Sequence, residues 1–344
     1  MDVTAWLLYS DPAIRWQVLR DVQHAPENEV DAERQLVAEQ GWGKQLLDLQ
    51  GENGLWDNGT YFPDWAMHGP PPGWTPPPNA SAKSDDPEVM AAVNTDDEYQ
   101  PWTATGPTLA ELAAFGVDPR HPRVEAAIAK VAANAKWEHE GQDFFAGEVE
   151  PCINGLTIAL GAYFGQDVTG IVERLLTEQM DDGGWNCDQE RGSTRGSFGS
   201  TIAVLEGLLA WERTPGADPA LVAKSRAARE RAHEYLLSRG LMRQASSGEL
   251  IKESFLKFAY PTRWHYDVLR GLDYLRAAGV VPDERWDEAV QLVRDKQRPD
   301  GTWILENSYP GAIHFPLDEG DGRPSKWNTL RALRVLEWVE GQRG

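Results

Sequence analysis

The stretch Gln179-Met180-Asp181-Asp182-Gly183-Gly184-Trp185 decides the fold because it recurs. Gln50-Gly51-Glu52-Asn53-Gly54-Leu55-Trp56 and Gln297-Arg298-Pro299-Asp300-Gly301-Thr302-Trp303 repeat its Gln-x-x-x-Gly-x-Trp pattern. Each copy follows a stretch of helical period, such as Ile171 to Glu178 or Trp286 to Lys296, and precedes a polar loop and another apolar helix. An Asp-Gly or Asn-Gly pair ends a helix in a left-handed turn, and the Trp behind it folds back as a wedge. The predicted unit is therefore a helical hairpin, and units of this kind stack to bury one continuous core. The copies lie 129 and 118 residues apart, about twice what one hairpin needs. Degenerate copies are expected between them, around Trp137 to Phe145 and Ser238 to Gly248.

Five apolar helices are predicted after these loops: Trp102 to Phe115, Cys152 to Phe164, Phe198 to Trp211, Trp264 to Ala278 and Lys326 to Val339. Small and branched residues recur on every side of them, as in Gly155-Leu156-Thr157-Ile158-Ala159-Leu160-Gly161-Ala162, the pattern of an inner helix touched all round. Ala220 to Leu237 and Asp283 to Lys296 are amphipathic and charged, as an outer ring requires. An N-terminal pair, Pro12 to Val22 and Glu29 to Leu49, supplies a sixth hairpin. Asp64 to Ser84, with its runs of proline, is a stiff non-helical excursion, a crossing loop or a lid.

Composition narrows the function. The chain has 344 residues, 15 of them Trp, and 54 acids against 33 bases give a net charge of −21. So acidic a surface repels a nucleic-acid backbone, which excludes that class of partner. No run of eighteen apolar residues predicts a membrane span, and the N-terminus does not resemble a signal peptide. Two cysteines rule out a disulfide framework and fit a reducing cytoplasm. There is no phosphate loop, dinucleotide fingerprint or serine nucleophile elbow.

The Gln-x-x-x-Gly-x-Trp copies, with the Asp-Gly-Gly-Trp core at Asp182 to Trp185, resemble the repeat of squalene–hopene and other terpenoid cyclases, which protein prenyltransferase β subunits share in looser form. The resemblance spans Gln40 to the C-terminus. It implies an all-α fold, one α/α toroid of about six inner and six outer helices over residues 1–344.

In such a toroid the inner-helix N-termini converge at one mouth. Cys152 opens the second apolar helix, Cys187 lies just before the third, and His265 starts the fourth. Sulfur and imidazole suit a tetrahedral zinc ion with one position open. Cys152, Cys187 and His265 are therefore the expected Zn2+ ligands, with Glu150 as a fourth ligand or general base. Prenyltransferases bind zinc through Asp-x-Cys and a distant His, which Glu150-Pro151-Cys152 with His265 resembles; lanthionine-forming cyclases use two Cys and one His. Neither spacing is reproduced. Tyr266 and Asp267 fall on the same turn as His265 and complete a catalytic set with Glu150. Arg195, Arg263, Arg323 and Lys326, near inner-helix starts, are candidates to hold a carboxylate or diphosphate. Trp102, Phe198, Trp264 and Trp327 fall at equivalent points and predict an aromatic wall suited to a hydrophobic substrate.

These residues predict a zinc-dependent enzyme that activates a thiol, water or carbonyl on a small hydrophobic or anionic substrate or on a peptide. Two alternatives stand beside it. One is a metal-independent terpenoid cyclase protonating through Asp96 or Asp97, although Asn94-Thr95-Asp96-Asp97 lacks the first Asp of the family's Asp-x-Asp-Asp. The other is a non-catalytic module that binds a peptide or hydrophobic ligand.

Overall fold

The polar loops and Asx-Gly stops divide the chain into short helices. The computed structural model describes residues 2–68 and 101–343. α1 (Val3–Leu8) and α2 (Pro12–Asp21) are followed by α3 (Glu27–Gln35), α4 (Gly41–Asp48) and the short α5 (Asp64–His68). Four hairpins come next: α6 (Thr105–Phe115) with α7 (Pro122–Asn134), α8 (Pro151–Tyr163) with α9 (Thr169–Thr177), α10 (Phe198–Glu212) with α11 (Pro219–Leu237), and α12 (Val268–Ala277) with α13 (Asp287–Asp295). A two-stranded antiparallel ribbon, β1 (Trp303–Ile304) and β2 (Pro324–Ser325), leads into α14 (Lys326–Arg343).

Six of these helices form a closed inner ring. α2 packs on α6, α6 on α8, α8 on α10, α10 on α12, α12 on α14, and α14 returns to α2. α4, α7, α9, α11 and α13 lie outside them, and α1 takes the sixth outer place, where Lys326 at the start of α14 lies over the Trp6 ring. The chain is thus an α/α toroid. α10 shows why: apolar and small residues bury nearly its whole circumference, so it is at home only with neighbours on every side. Salt bridges and hydrogen bonds close the seam. Arg334 on α14 donates to Gln17 Oε1 at 2.6 Å and pairs with Asp21 at 2.5 Å.

The repeat has a specific physical content. The glycines of the three copies, Gly54, Gly183 and Gly301, have φ of 87°, 88° and 85°, a conformation that side chains avoid. Each motif Trp is buried, and its indole N–H donates to the backbone carbonyl ten residues earlier: Trp56 to Leu46 at 2.7 Å, Trp185 to Leu175 at 2.8 Å, Trp303 to Val293 at 2.7 Å. Those carbonyls lie in the last turns of α4, α9 and α13, so the wedge also satisfies a helix end. The motif Gln ties neighbouring units together. Gln50 donates to Gly54 and to Ala127 on α7, and Gln179 to Gly183 and to Ala228 on α11. A threonine in the first turns of the next inner helix, Thr105, Thr201 or Thr329, accepts from the Trp backbone N–H. Isolated bridges Lys136–Asp143 and Arg243–Leu250 lie in the two regions where degenerate copies are expected, but Trp137 donates its indole N–H forward to the Phe144 carbonyl at 2.9 Å rather than ten residues back.

Two inner helices start later than predicted. α6 begins at Thr105 rather than Trp102, and α12 at Val268 rather than Trp264, because the Asp267 carboxylate caps it by accepting from the Arg270 N–H at 2.8 Å. Trp264 and His265 therefore belong to the preceding loop. Of the proline-rich excursion only Asp64–His68 is described, as helix rather than the expected non-helical chain. The remainder, with Asp96 and Asp97, lies outside the described residues.

Candidate thiol site and central cavity

α8 and α10 approach more closely than any other pair of inner helices, through facing glycines. Glu150 is the N-cap residue of α8, with Pro151 and Cys152 in its first turn. Cys187 lies two residues beyond the wedge Trp185, and its backbone N–H donates to Ser200 Oγ at 3.2 Å on the first turn of α10. The helix contact brings the two sulfurs, 35 residues apart in sequence, to 2.9 Å. Glu150 Oε2 is 3.6 Å from Cys152 Sγ, and Ser200 Oγ is 3.2 Å from Cys187 Sγ. Both cysteines are free. The contact with Cys187, burial and the Glu150 charge push the Cys152 thiol well above its ordinary range, while the same contact draws Cys187 below it.

Glu150, Cys152 and Cys187 offer ligand atoms all within 4.8 Å of one another, a group able to hold a metal ion. His265 is not a member of it, which corrects the expected ligand set. Its ring is stacked between Trp264 at 3.7 Å and Tyr309 at 3.6 Å. Burial, with Arg270 and Lys252 nearby, lowers the imidazole pKa to about 3, so it is neutral. The expected catalytic roles of Tyr266 and Asp267 also give way to structural ones. Tyr266 is buried and donates to the Leu241 carbonyl at 2.8 Å, and both Asp267 oxygens accept backbone N–H groups, from Arg270 and Ala259.

Cys152 opens onto a cavity of about 360 Å³ walled mainly by apolar side chains of α6, α8 and α10. Trp102 and Trp264 line it, as expected of the aromatic wall. Phe198 does not; it is buried against Tyr235, Phe255 and Tyr266. Trp327 lines a second cavity and stacks on Tyr260 at 4.3 Å. Among the expected anion-holding residues only Arg263 reaches the first cavity. Its side chain is 7% exposed, pairs with Glu111 at 2.6 Å and lies over the Trp102 ring at 4.9 Å. Its backbone is left-handed, with φ of 54°, and its carbonyl accepts from Arg270 Nη1 at 3.2 Å. Arg195 and Arg323 are exposed on loops, and Lys326 donates to the Tyr9 carbonyl.

The wall also holds Glu206, salt-bridged to Arg270 at 2.6 Å. Glu111, Glu206 and Arg270 were not singled out in the sequence. For Glu111 and Glu206 the signal was there: each is a lone charge inside an otherwise apolar inner helix, a position that is costly unless the charge is paired; Arg270 shares α12 with Asp273 and Arg276 and gives no such signal.

No protein-family model and no curated protein matches the chain. Two solved structures of the type II terpene cyclase MstE from Scytonema are similar to it. One is an apo form, at 18% identity and a TM-score of 0.33. The other, in complex with geranylgeranyl dihydroxybenzoate, is at 17% identity and a TM-score of 0.34. Each match covers 91% of this chain and 97% of the other.

Proposed function

We propose that the chain is an enzyme that encloses a small apolar molecule in the cavity beside Cys152 and acts on it at a metal held by Glu150, Cys152 and Cys187. The observation that carries this reading is the position of the only two thiols, in contact with each other and a carboxylate near by, where an apolar cavity ends. Two sulfurs and a carboxylate are donors that zinc accepts, and a three-residue set leaves the fourth position open. Glu150, Cys152 and Cys187 are the residues that would hold such an ion, their ligand atoms lying within 4.8 Å of one another.

A bound zinc ion supplies Lewis acidity, polarising a carbonyl or lowering the pKa of a coordinated water or thiol. The chain's own residues supply the rest. Trp102, Trp264, Ile153 and Leu156 give the substrate an apolar wall and exclude water. Arg263, its charge matched by Glu111, positions a polar group of the substrate from the far side. Glu150, with Oε2 3.6 Å from Cys152 Sγ, is placed to hold or move a proton at the cavity edge.

Elemental analysis of protein purified without chelator or metal-affinity tag tests the reading. About one zinc per chain, lost in a Cys152→Ala variant that keeps its helical spectrum, is expected. Metal-free protein leaves the non-catalytic binding module, for which the apolar cavity alone is sufficient.

A further inference from the structure

The chain has two cysteines among 344 residues, and the fold puts their sulfurs in contact at 2.9 Å. Cys152 comes from the first turn of α8 and Cys187 from the loop ahead of α10. The contact is held from both sides. Gly155 lets α8 lie so close to α10 that an added Cβ would stand 2.5 Å from the Ala203 carbonyl. Cys187 is tied to α10 by its N–H on Ser200 Oγ at 3.2 Å, and Trp185 just before it accepts from the Ser197 N–H at 2.8 Å.

Both sulfurs can be reached from outside. Neither cysteine is fully buried; Cys152 lines the cavity of about 360 Å³, and Cys187 is followed by the exposed Asp188, Gln189 and Glu190. Two bonded sulfurs stand about 2.05 Å apart. Closing this pair therefore takes about 0.9 Å of movement, a distance that side-chain rotation spans.

We propose that Cys152 and Cys187 form an oxidation site, which a hydroperoxide converts to an intramolecular disulfide and small thiols reduce again. Cys187, on the loop side, attacks the peroxide. Its sulfur takes one oxygen as the O–O bond breaks, and the other oxygen leaves as water or an alcohol with the thiol proton. The Cys152 sulfur then attacks the Cys187 sulfenic acid. The S–S bond forms, the S–O bond breaks, and the oxygen leaves as water with the Cys152 proton. Two electrons have passed from the sulfur pair to the peroxide. Because the second sulfur is already in contact, this closing step is intramolecular and outruns attack by a second peroxide. An external thiol reverses it through a mixed disulfide, and a second one carries away the external disulfide.

Oxidation at this site needs no metal. Bonded to each other, the sulfurs have no thiolate to offer an ion, so the disulfide and a metal held by both cysteines exclude each other.

Hydrogen peroxide added to the full chain tests the proposal, with the protein reduced, freed of reductant, and used both as purified and after treatment with EDTA. In the EDTA-treated chain both thiols should be lost together, the intact mass should fall by two hydrogens, and dithiothreitol should restore both. A digest should yield the Cys152 peptide joined to the Cys187 peptide. In Cys152→Ser, which lacks the second thiol, dimedone should trap Cys187 as its sulfenic acid, about tenfold or more above the wild-type adduct. If that variant loses its helical spectrum, the wild-type thiol count and mass decide alone. Thiols that survive under conditions that fully oxidise glutathione, or a mass gain from sulfinic acid in place of the cross-link, overturn the proposal. Zinc content of the untreated sample reports separately on the metal reading. Zinc-free protein that forms the disulfide defeats only that reading, and zinc-bearing protein whose thiols resist peroxide after EDTA defeats only the oxidation site.

Discussion

Gly155 on α8 and Gly207 on α10 face each other with no room for a side chain between them. A Cβ at Gly207 would stand 2.3 Å from the Gly155 carbonyl oxygen, and one at Gly155 would stand 2.5 Å from the Ala203 carbonyl. Neither glycine is needed for its φ; both are needed for this approach, which sets the start of α8 beside the start of α10 and so joins Cys152 to Cys187.

Gly207→Val should therefore force the helices apart and destabilise the protein by about 1–3 kcal/mol or more, the range of overpacked cores. Urea unfolding measures it. A loss below about 0.5 kcal/mol, the ordinary range of a surface change, would mean the helices do not approach as described.

Trp185→Ala removes a fully buried indole and its bond to the Leu175 carbonyl, and is expected to cost about 3–5 kcal/mol. Trp185→Phe fills more of the space and should cost less, but it leaves that carbonyl with only the Glu178 N–H at 3.2 Å, a loss of about 1 kcal/mol. Denaturant midpoints of the two variants, compared at equal m-values, separate the packing from the hydrogen bond.

The Gln, Gly and Trp of each repeat could be read from the sequence because their spacing within a copy is fixed, and the Trp has its indole partner at a constant offset, the carbonyl ten residues back. Thr105, Thr201 and Thr329 could not: loops of different length put them 49, 16 and 26 residues beyond the Trp they serve. Cys152 and Cys187 were placed correctly by counting helix starts. His265 was not, because Asp267 caps α12 and leaves the histidine in a loop, where Trp264 and Tyr309 hold its ring. Arg331 and Arg334 passed unnoticed because two charges in a helix read as a solvated face, whereas α14 is an inner helix and buries both.

Cys187→Ala should lower zinc content to near zero while the far-ultraviolet spectrum stays helical, since the ring's core is built from apolar contacts remote from the thiols. A variant that retains stoichiometric zinc would remove Cys187 from the ligand set.

His265 makes stability depend on pH. Its pKa falls from 6.5 to about 3 on folding, so below pH 6.5 the unfolded chain binds a proton that the folded chain refuses. The contribution is whole above about pH 7 and shrinks as pH falls, by about 1–2 kcal/mol between pH 7 and pH 5. His265→Phe keeps a ring between Trp264 and Tyr309 and should flatten that part of the profile. Urea unfolding at the two pH values decides it; an unchanged pH dependence in the variant would show that the imidazole takes up its proton as readily in the folded chain as in the unfolded one.

The seam at which Arg334 meets Gln17 joins residues 317 positions apart. An open stack of repeats frays from its ends, because a terminal unit is held by one neighbour instead of two. With α14 returned to α2 there is no terminal unit, and the weakest hairpin is supported on both sides. Thermal unfolding of the intact ring should accordingly be a single cooperative event. Changing Arg334 weakens this closure without opening it, because Lys326 on the Tyr9 carbonyl and Trp327 on Trp42 still bridge the seam, and should lower the melting midpoint while the transition stays single.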